Sequence, residues 1–285
     1  MGRIVYVNGR YVPHEHAMVS VEDRGYQFAD GVYEVCEVRG GRLIDERRHI
    51  GRLERSLNEL QIAQPMSRAA LGVVLREVVH RNHIHDGLVY AQVTRGAARR
   101  DHAFPPQGTR PALVVTARPV DMAANEKIAA EGIAVITLPD ERWTRVDIKS
   151  VSLLPNVLAK QAARVQGARE AWLVDRDGRI TEGSSSNAWI VDRNGKIITR
   201  ALGRDILPGI TRAVLFAVVK AHGLQIEERP FTVEEAHNAR EAFVTSATQA
   251  VMPVVRIDEH VIGNGAPGLI ASALRRDYHA HAEVS

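Results

Sequence analysis

Only five lysines stand among 285 residues, and four of them have ready surface explanations. Lys127 lies in a polar stretch. Lys160 shares the polar face of a helix with Arg164, Lys196 follows an Asn-Gly turn, and Lys220 falls in the last turn of a helix, where a cation suits the dipole. Lys149, within Arg145-Val-Asp-Ile-Lys-Ser150, is the exception, because its surroundings are strand-like and it could serve as an imine-forming amine. Downstream, Ile180-Thr-Glu-Gly-Ser-Ser-Ser-Asn187 sets one carboxylate, Glu182, beside a glycine and three hydroxyls, Ser184, Ser185 and Ser186.

An amine for a Schiff base and an acid facing a pyridine nitrogen are what a protein contributes to the electronics of pyridoxal phosphate. Hydroxyls and free backbone N–H groups can hold its phosphate. Each residue alone also has a plainer reading. Lys149 could be a strand lysine on a solvent face, and Glu182 a loop acid capping a turn.

The elements that must position them can be read from turns and periodicity. Residues 3–12 predict a hairpin through Asn8-Gly9, and a second hairpin runs from Gly31 to Ile44 through Gly40-Gly41. One helix carries Ile50, Leu53, Leu57 and Leu60 on a stripe. Another opens at Ser67 with Leu71, Val74, Leu75 and Val78. Strands near 88–95 and 112–118 complete an N-terminal unit, 1–120, and residues 121–127 are expected to be an interdomain linker.

A C-terminal unit, 128–285, is expected to hold strands near 132–138, 147–151, 170–175, 187–192, 196–199, 224–229, 241–246 and 251–257. Helices are expected near 155–166, stopped at Gly167, and at 210–222. Strands in meander order with inserted helices predict two α+β domains and argue against a Rossmann arrangement.

Composition narrows the class. At 45% hydrophobic and 25% charged, the chain reads as an ordinary globular protein. Its 37 basic residues are offset by 34 acidic ones and are scattered, so no nucleic-acid partner is expected. A single cysteine, Cys36, excludes an internal disulfide framework, and with no signal-like opening the expectation is a cytoplasmic protein that does not enter a membrane.

Two motifs fail on context. Gly263-Asn-Gly-Ala-Pro-Gly268 lacks the βαβ unit of a dinucleotide fingerprint and reads as a turn before the last helix. His80, His83 and His85 lack the spacing of a zinc helix, and no metal site is expected.

Eight segments in order carry a resemblance: Asp23–Glu34, Arg48–Leu53, Val93–Gly96, Asp147–Ser150, Asn156–Gln161, Thr181–Asn187, Gly209–Arg212 and Phe243–Ser246. Together they resemble the fold-type IV, or class IV, aminotransferases, and most closely their D-amino-acid branch. The resemblance implies that Lys149 carries pyridoxal 5'-phosphate and then serves as the base at the substrate's Cα. Glu182 would pair with the pyridine nitrogen. Arg52, the backbone N–H groups of Ile210 and Thr211, and Ser246 would bind phosphate, and Leu207 would lie against the ring. Ala247 stands where a hydroxyl residue is common, with Thr248 beside it.

Tyr33, Arg100 and His102 match the group that grips the substrate's α-carboxylate. The resemblance further implies a homodimer with the site near its interface, whichever subunit supplies the trap, and ping-pong transfer from a D-amino acid such as D-alanine to 2-oxoglutarate or pyruvate. The alternatives within the fold are branched-chain L-amino-acid or (R)-amine transaminases and 4-amino-4-deoxychorismate lyase. A non-enzymatic cofactor carrier is the alternative outside enzymology.

Overall fold

Asn8 and Gly9 both adopt positive φ, 47° and 97°, so β1 (Ile4–Val7) turns back into β2 (Arg10–Pro13) through two residues. A short helix, α1 (Arg24–Phe28), follows, opened by the Asp23 side chain accepting from the Gly25 N–H. Gly40 and Gly41, at φ 58° and 76°, then turn β3 (Gly31–Arg39) into β4 (Arg42–Leu43). Next come α2 (Glu46–Glu59), α3 (Arg68–Arg81), β5 (Gly87–Thr94) and β6 (Ala112–Pro119). Ser67 caps α3, as its sequence predicts.

This computed structural model describes residues 3–285, which form two units. The first contains the residues up to Met122 together with Ile148–Ser152 and Glu283–Ser285. Its strands are ordered β2-β1-β6-β5-β3-β4, and the apolar stripes of α2 and α3 close over them through Leu53, Leu57, Val74 and Val78. The strand expected at 147–151 does not form. A strip lies along β3 instead: Ser150 bridges Val32, Tyr33 N–H donates to the Lys149 carbonyl, and Val151 N–H donates to the Gly31 carbonyl, both at 3.0 Å. Ile148, buried in the first core, anchors the strip.

The second unit comprises Ala123–Asp147 and Leu153–Ala282. Residues 122–127, within the stretch expected as linker, instead begin a helix, α4 (Met122–Glu131). Then follow β7 (Ile133–Pro139), α5 (Leu154–Val165), β8 (Glu170–Val174), β9 (Arg179–Gly183), β10 (Asn187–Val191), β11 (Ile197–Thr199) and α6 (Ile210–Ala221). The chain finishes with β12 (Ile226–Glu228), β13 (Phe231–Thr232), α7 (Val233–His237), β14 (Glu241–Ser246), β15 (Ala250–Ile257), β16 (His260–Val261) and α8 (Leu269–His281).

These strands build a mixed sheet ordered β12-β11-β10-β14-β15-β7-β8-β9-β13, with β16 on β15. All five residues of β10 are buried, as a strand covered on both faces requires. One face packs under α6 and α8 around Trp189, Phe243, Leu215 and Leu274, and the other gathers Trp172, Ile180, Phe231 and Met252. The α+β class is as expected. The 263–268 stretch is a turn leading into α8, and His80, His83 and His85 are exposed.

Candidate active site

In the first unit, the Lys149 strip is pinned by its backbone, leaving the side chain to be aimed. Its N–H donates to Ser56 Oγ of α2 at 3.3 Å, and its carbonyl accepts from Tyr33. Nζ sits 4.1 Å from the centre of the Tyr33 ring, a cation–π contact, and that ring stacks on Tyr90 at 5.5 Å. Tyr90 OH donates to Gln92 Oε1 at 2.7 Å. Burial and the neighbouring Tyr33 hold the Tyr90 phenol well above its ordinary range.

Alternation along β3 sends Glu34 the other way from Tyr33. Arg52 grips that buried carboxylate bidentately, Nε to Oε1 at 2.7 Å and Nη2 to Oε2 at 2.9 Å, with His49 Nδ1 2.8 Å from Oε2. Burial opposes the charge on Glu34, but Arg52 and His49 outweigh it, and the carboxyl lies far below the usual carboxylate range. The plane of the Arg52 guanidinium is therefore fixed by Glu34.

Arg100 and His102 are exposed and meet on one aromatic ring. The Arg100 guanidinium lies 4.6 Å from the centre of Phe28, and the His102 ring lies 5.3 Å from it. Their loop is tied down by Arg24, whose Nη1 donates to the Asp101 carbonyl at 2.7 Å. Arg24 and Arg95 in turn share Asp30, at 2.8 and 2.7 Å. Burial raises the Asp30 carboxyl, but these two arginines reverse the shift and hold it below its ordinary value.

In the second unit, Glu182 sits on β9, buried, within a ring of donors. Oε1 accepts from Arg142 Nη1 at 2.5 Å, Oε2 accepts from Asn187 Nδ2 at 2.9 Å, and Leu207 N–H lies 3.1 Å from both. Burial pushes the Glu182 carboxyl up to about 7, against the opposing pull of Arg142 and Leu207. Leu207 thus acts through its backbone, and its carbonyl accepts from Asn187 Nδ2 at 3.0 Å. Gly209 is required there, because a Cβ would stand 2.0 Å from Asn187 Oδ1.

Thr211 lies in the first turn of α6, and its Oγ1 is buried with no hydrogen-bond partner. Orphaned buried hydroxyls are uncommon, and this one accompanies the unpaired N–H groups and positive dipole end of a twelve-residue helix. Ser246 ends β14 with Oγ 3.2 Å from Thr248 Oγ1, and Ala247 is half-buried in the turn that follows.

The three serines read as phosphate ligands do something else. Ser184, Ser185 and Ser186 all donate to one buried carboxylate, Glu170, at 2.8 Å for Ser185 and 3.1 Å for Ser186. Lys160 Nζ adds a cation 3.2 Å from the same group. In this structure the cluster of three hydroxyls and one carboxylate shapes the turn between β9 and β10. Glu170, Asn187 and Arg142 were invisible as a group in the sequence. The one available signal was Asp140-Glu-Arg142, charged residues directly after a strand.

Comparison with known proteins agrees with this chemistry. The family described as amino-transferase class IV matches residues 31–257. The chain belongs to that family, whose members transfer amino groups with pyridoxal phosphate. It is similar to a D-alanine aminotransferase of Bacillus licheniformis, 44% identical over 93% of this chain and 92% of the relative. Another D-alanine aminotransferase, of Staphylococcus haemolyticus, is 37% identical over 98% of each.

Among solved structures, a branched-chain aminotransferase of Thermoproteus uzoniensis with norvaline superposes with a TM-score of 0.86 at 25% identity, over 98% of this chain and 94% of that one. An Escherichia coli branched-chain enzyme, at TM-score 0.90 and 23% identity over 98% and 94%, shares the fold. Taken unit by unit, the residues suit parts of the family's cofactor: in the first, Lys149 offers an amine, and in the second, Glu182 has capacity for a further donor and Thr211 an unsatisfied hydroxyl at a helix start.

Proposed function

We propose that this chain transfers the amino group of a D-amino acid, D-alanine foremost, to 2-oxoglutarate or pyruvate in two half-reactions. The observation that carries the reading is the near full-length likeness to proteins named D-alanine aminotransferase, joined to Tyr33, Arg100 and His102 in this chain. Bound pyridoxal phosphate supplies an electron sink for the substrate's α-carbon.

The chain's own groups do the rest. Lys149 would hold the cofactor and, once released, would carry the proton at the substrate's Cα, its amine lying against the Tyr33 ring. Glu182 would pair with the ring nitrogen. Arg52, Ile210, Thr211 and Ser246 would hold the phosphate. Arg100 and His102 bind the α-carboxylate with Tyr33, a guanidinium and two further donors suiting that anion.

A homodimer belongs to this reading. The outward stripe of α5, Leu154, Val157, Leu158 and Val165, is exposed, an apolar face of the kind that self-association covers. No helix among the described residues is long and apolar enough to cross a membrane. A cytoplasmic location belongs to the same proposal.

The test is the absorbance of cofactor-loaded protein before and after D-alanine, D-glutamate, L-leucine or (R)-1-phenylethylamine. The bound cofactor's band, near roughly 410–420 nm, should fade with the D-amino acids alone. Fading only with L-leucine or the amine would overturn the D-specific assignment.

A further inference from the structure

Glu182 is asked to be two things at once: buried away from water and charged. Burial alone keeps a carboxyl neutral, so something in the protein must compensate. Among the described residues, Arg142 is the cation placed to do so. Its side chain is about as buried as that of Glu182, 5% exposed in each case.

Every face of that guanidinium is committed. Nε and Nη2 hold the Asp140 carboxylate at 2.9 and 2.7 Å, Nη2 also reaches Thr181 Oγ1 and the Asp205 carbonyl at 3.3 Å, and Nη1 is left to point at Glu182 Oε1. Thr181 Oγ1 donates to Asp140 Oδ2 at 2.7 Å, closing the ring.

We propose that Arg142, pinned by Asp140 and Thr181, is a positioning residue for the amino-transfer reaction, holding Glu182 as an oriented carboxylate so that it can pair with a protonated pyridine nitrogen. This rests on the function proposed above. Arg142 does not touch the reacting atoms. It acts by setting the charge and direction of the group that does.

Within the second unit, the charged groups facing Glu182 are Arg142 and, behind it, Asp140. The Asp205 side chain is turned away onto Arg200 Nε at 2.5 Å, and Arg200 also holds Asp175 at 2.8 Å. Arg142 and Asp140 therefore push Glu182 in opposite senses: the arginine favours its ionised form and the aspartate disfavours it.

Opposite signs give a signature that a merely structural role cannot produce. The experiment strips the protein of cofactor and measures the dissociation constant of pyridoxal 5'-phosphate from pH 6 to 9 for wild type, R142Q, R142K and D140N, with circular dichroism to confirm folding. R142Q should weaken binding about tenfold at pH 7.5 and move the Glu182-dependent midpoint of the profile upward, one pH unit corresponding to about tenfold. D140N should move it downward, and R142K should recover most of the wild-type affinity.

Equal affinity in R142Q, or a loss uniform across pH, would overturn the role of Arg142 while leaving amino transfer intact. If R142Q fails to fold, R142M decides on the same readout: an upward midpoint supports the role, and an unchanged profile overturns it. A wild type that binds no pyridoxal phosphate would overturn the function and this inference together.

Discussion

A buried charge is tolerable only when another residue meets it, and the candidate site residues of this chain are organised by such pairings. Glu34 is the clearest case, because it satisfies Arg52 and His49 together within the first unit. Replacing it by alanine removes the carboxylate that meets both groups, so Glu34→Ala should destabilise by about 3–5 kcal/mol, seen as a lower denaturation midpoint. Cofactor affinity should fall with it, since the guanidinium plane of Arg52 is no longer held. Glu170 plays a comparable part for the three serines. Hydroxyls are ambiguous in sequence, and only three dimensions reveal that one carboxylate accepts from all three.

At the scale of elements, turn chemistry and apolar periodicity made most helices and strands legible. Asn8-Gly9, Gly40-Gly41, Ser67 and Gly167 all mark boundaries where expected, because each encodes its conformation locally. What escaped was decided by long-range contact. Asp147–Val151 has a strand-like sequence, yet its partner is an edge of β3 distant in the chain, which supplies one bridge and no ladder. Residues 122–127, polar enough to read as linker, begin α4, and the division between the units falls between Met122 and Ala123. Of the candidate site, Lys149 and Glu182 could be singled out only through the resemblance of eight ordered segments, each alone having a plainer reading, whereas the Arg142–Asp140–Thr181 ring was not visible, its members being about forty residues apart at the extremes.

Helix α6 offers a test at this same scale. The Thr211 hydroxyl has no partner, so Thr211→Val removes an unsatisfied buried group and should leave the melting temperature of cofactor-free protein unchanged or slightly raised. The same change should weaken pyridoxal phosphate binding by about tenfold, the loss of roughly one hydrogen bond to a charged group. A fall in melting temperature with unchanged affinity would show the hydroxyl to be structural.

For the whole molecule, the raised carboxyl of Glu182 carries a pH dependence of stability. Between its ordinary value of 4.5 and about 7, the folded protein holds a proton that the unfolded chain has released. Stability of the cofactor-free protein should therefore fall as pH rises through that window, by about 3 kcal/mol at most, and level off above it. Glu182→Gln should flatten this slope, which denaturation midpoints at pH 5, 6, 7 and 8 would reveal. Glu34 acts in the opposite sense, its contribution being present above the usual carboxylate range and lost progressively as pH falls below it. Pairing with a cationic ring nitrogen should lower the Glu182 carboxyl again, so bound pyridoxal phosphate stabilises most at neutral pH and above.

The chain leaves the first unit at Met122, returns for Ile148–Ser152, departs again and comes back for Glu283–Ser285. Those last residues are stitched to β4, with Leu43 and Ser285 exchanging two backbone hydrogen bonds of 3.0 Å and Ile44 bridging Val284. Neither unit is thus a continuous length of sequence. A single cut between Met122 and Ile148 yields an N-terminal fragment lacking Lys149, the strip that lies along β3 and the tail that closes β4, and a C-terminal fragment burdened with strips that belong elsewhere. Such a protein cannot be divided into two working modules or have one half exchanged with a relative at a single junction. Its two units must be inherited, recombined and folded together.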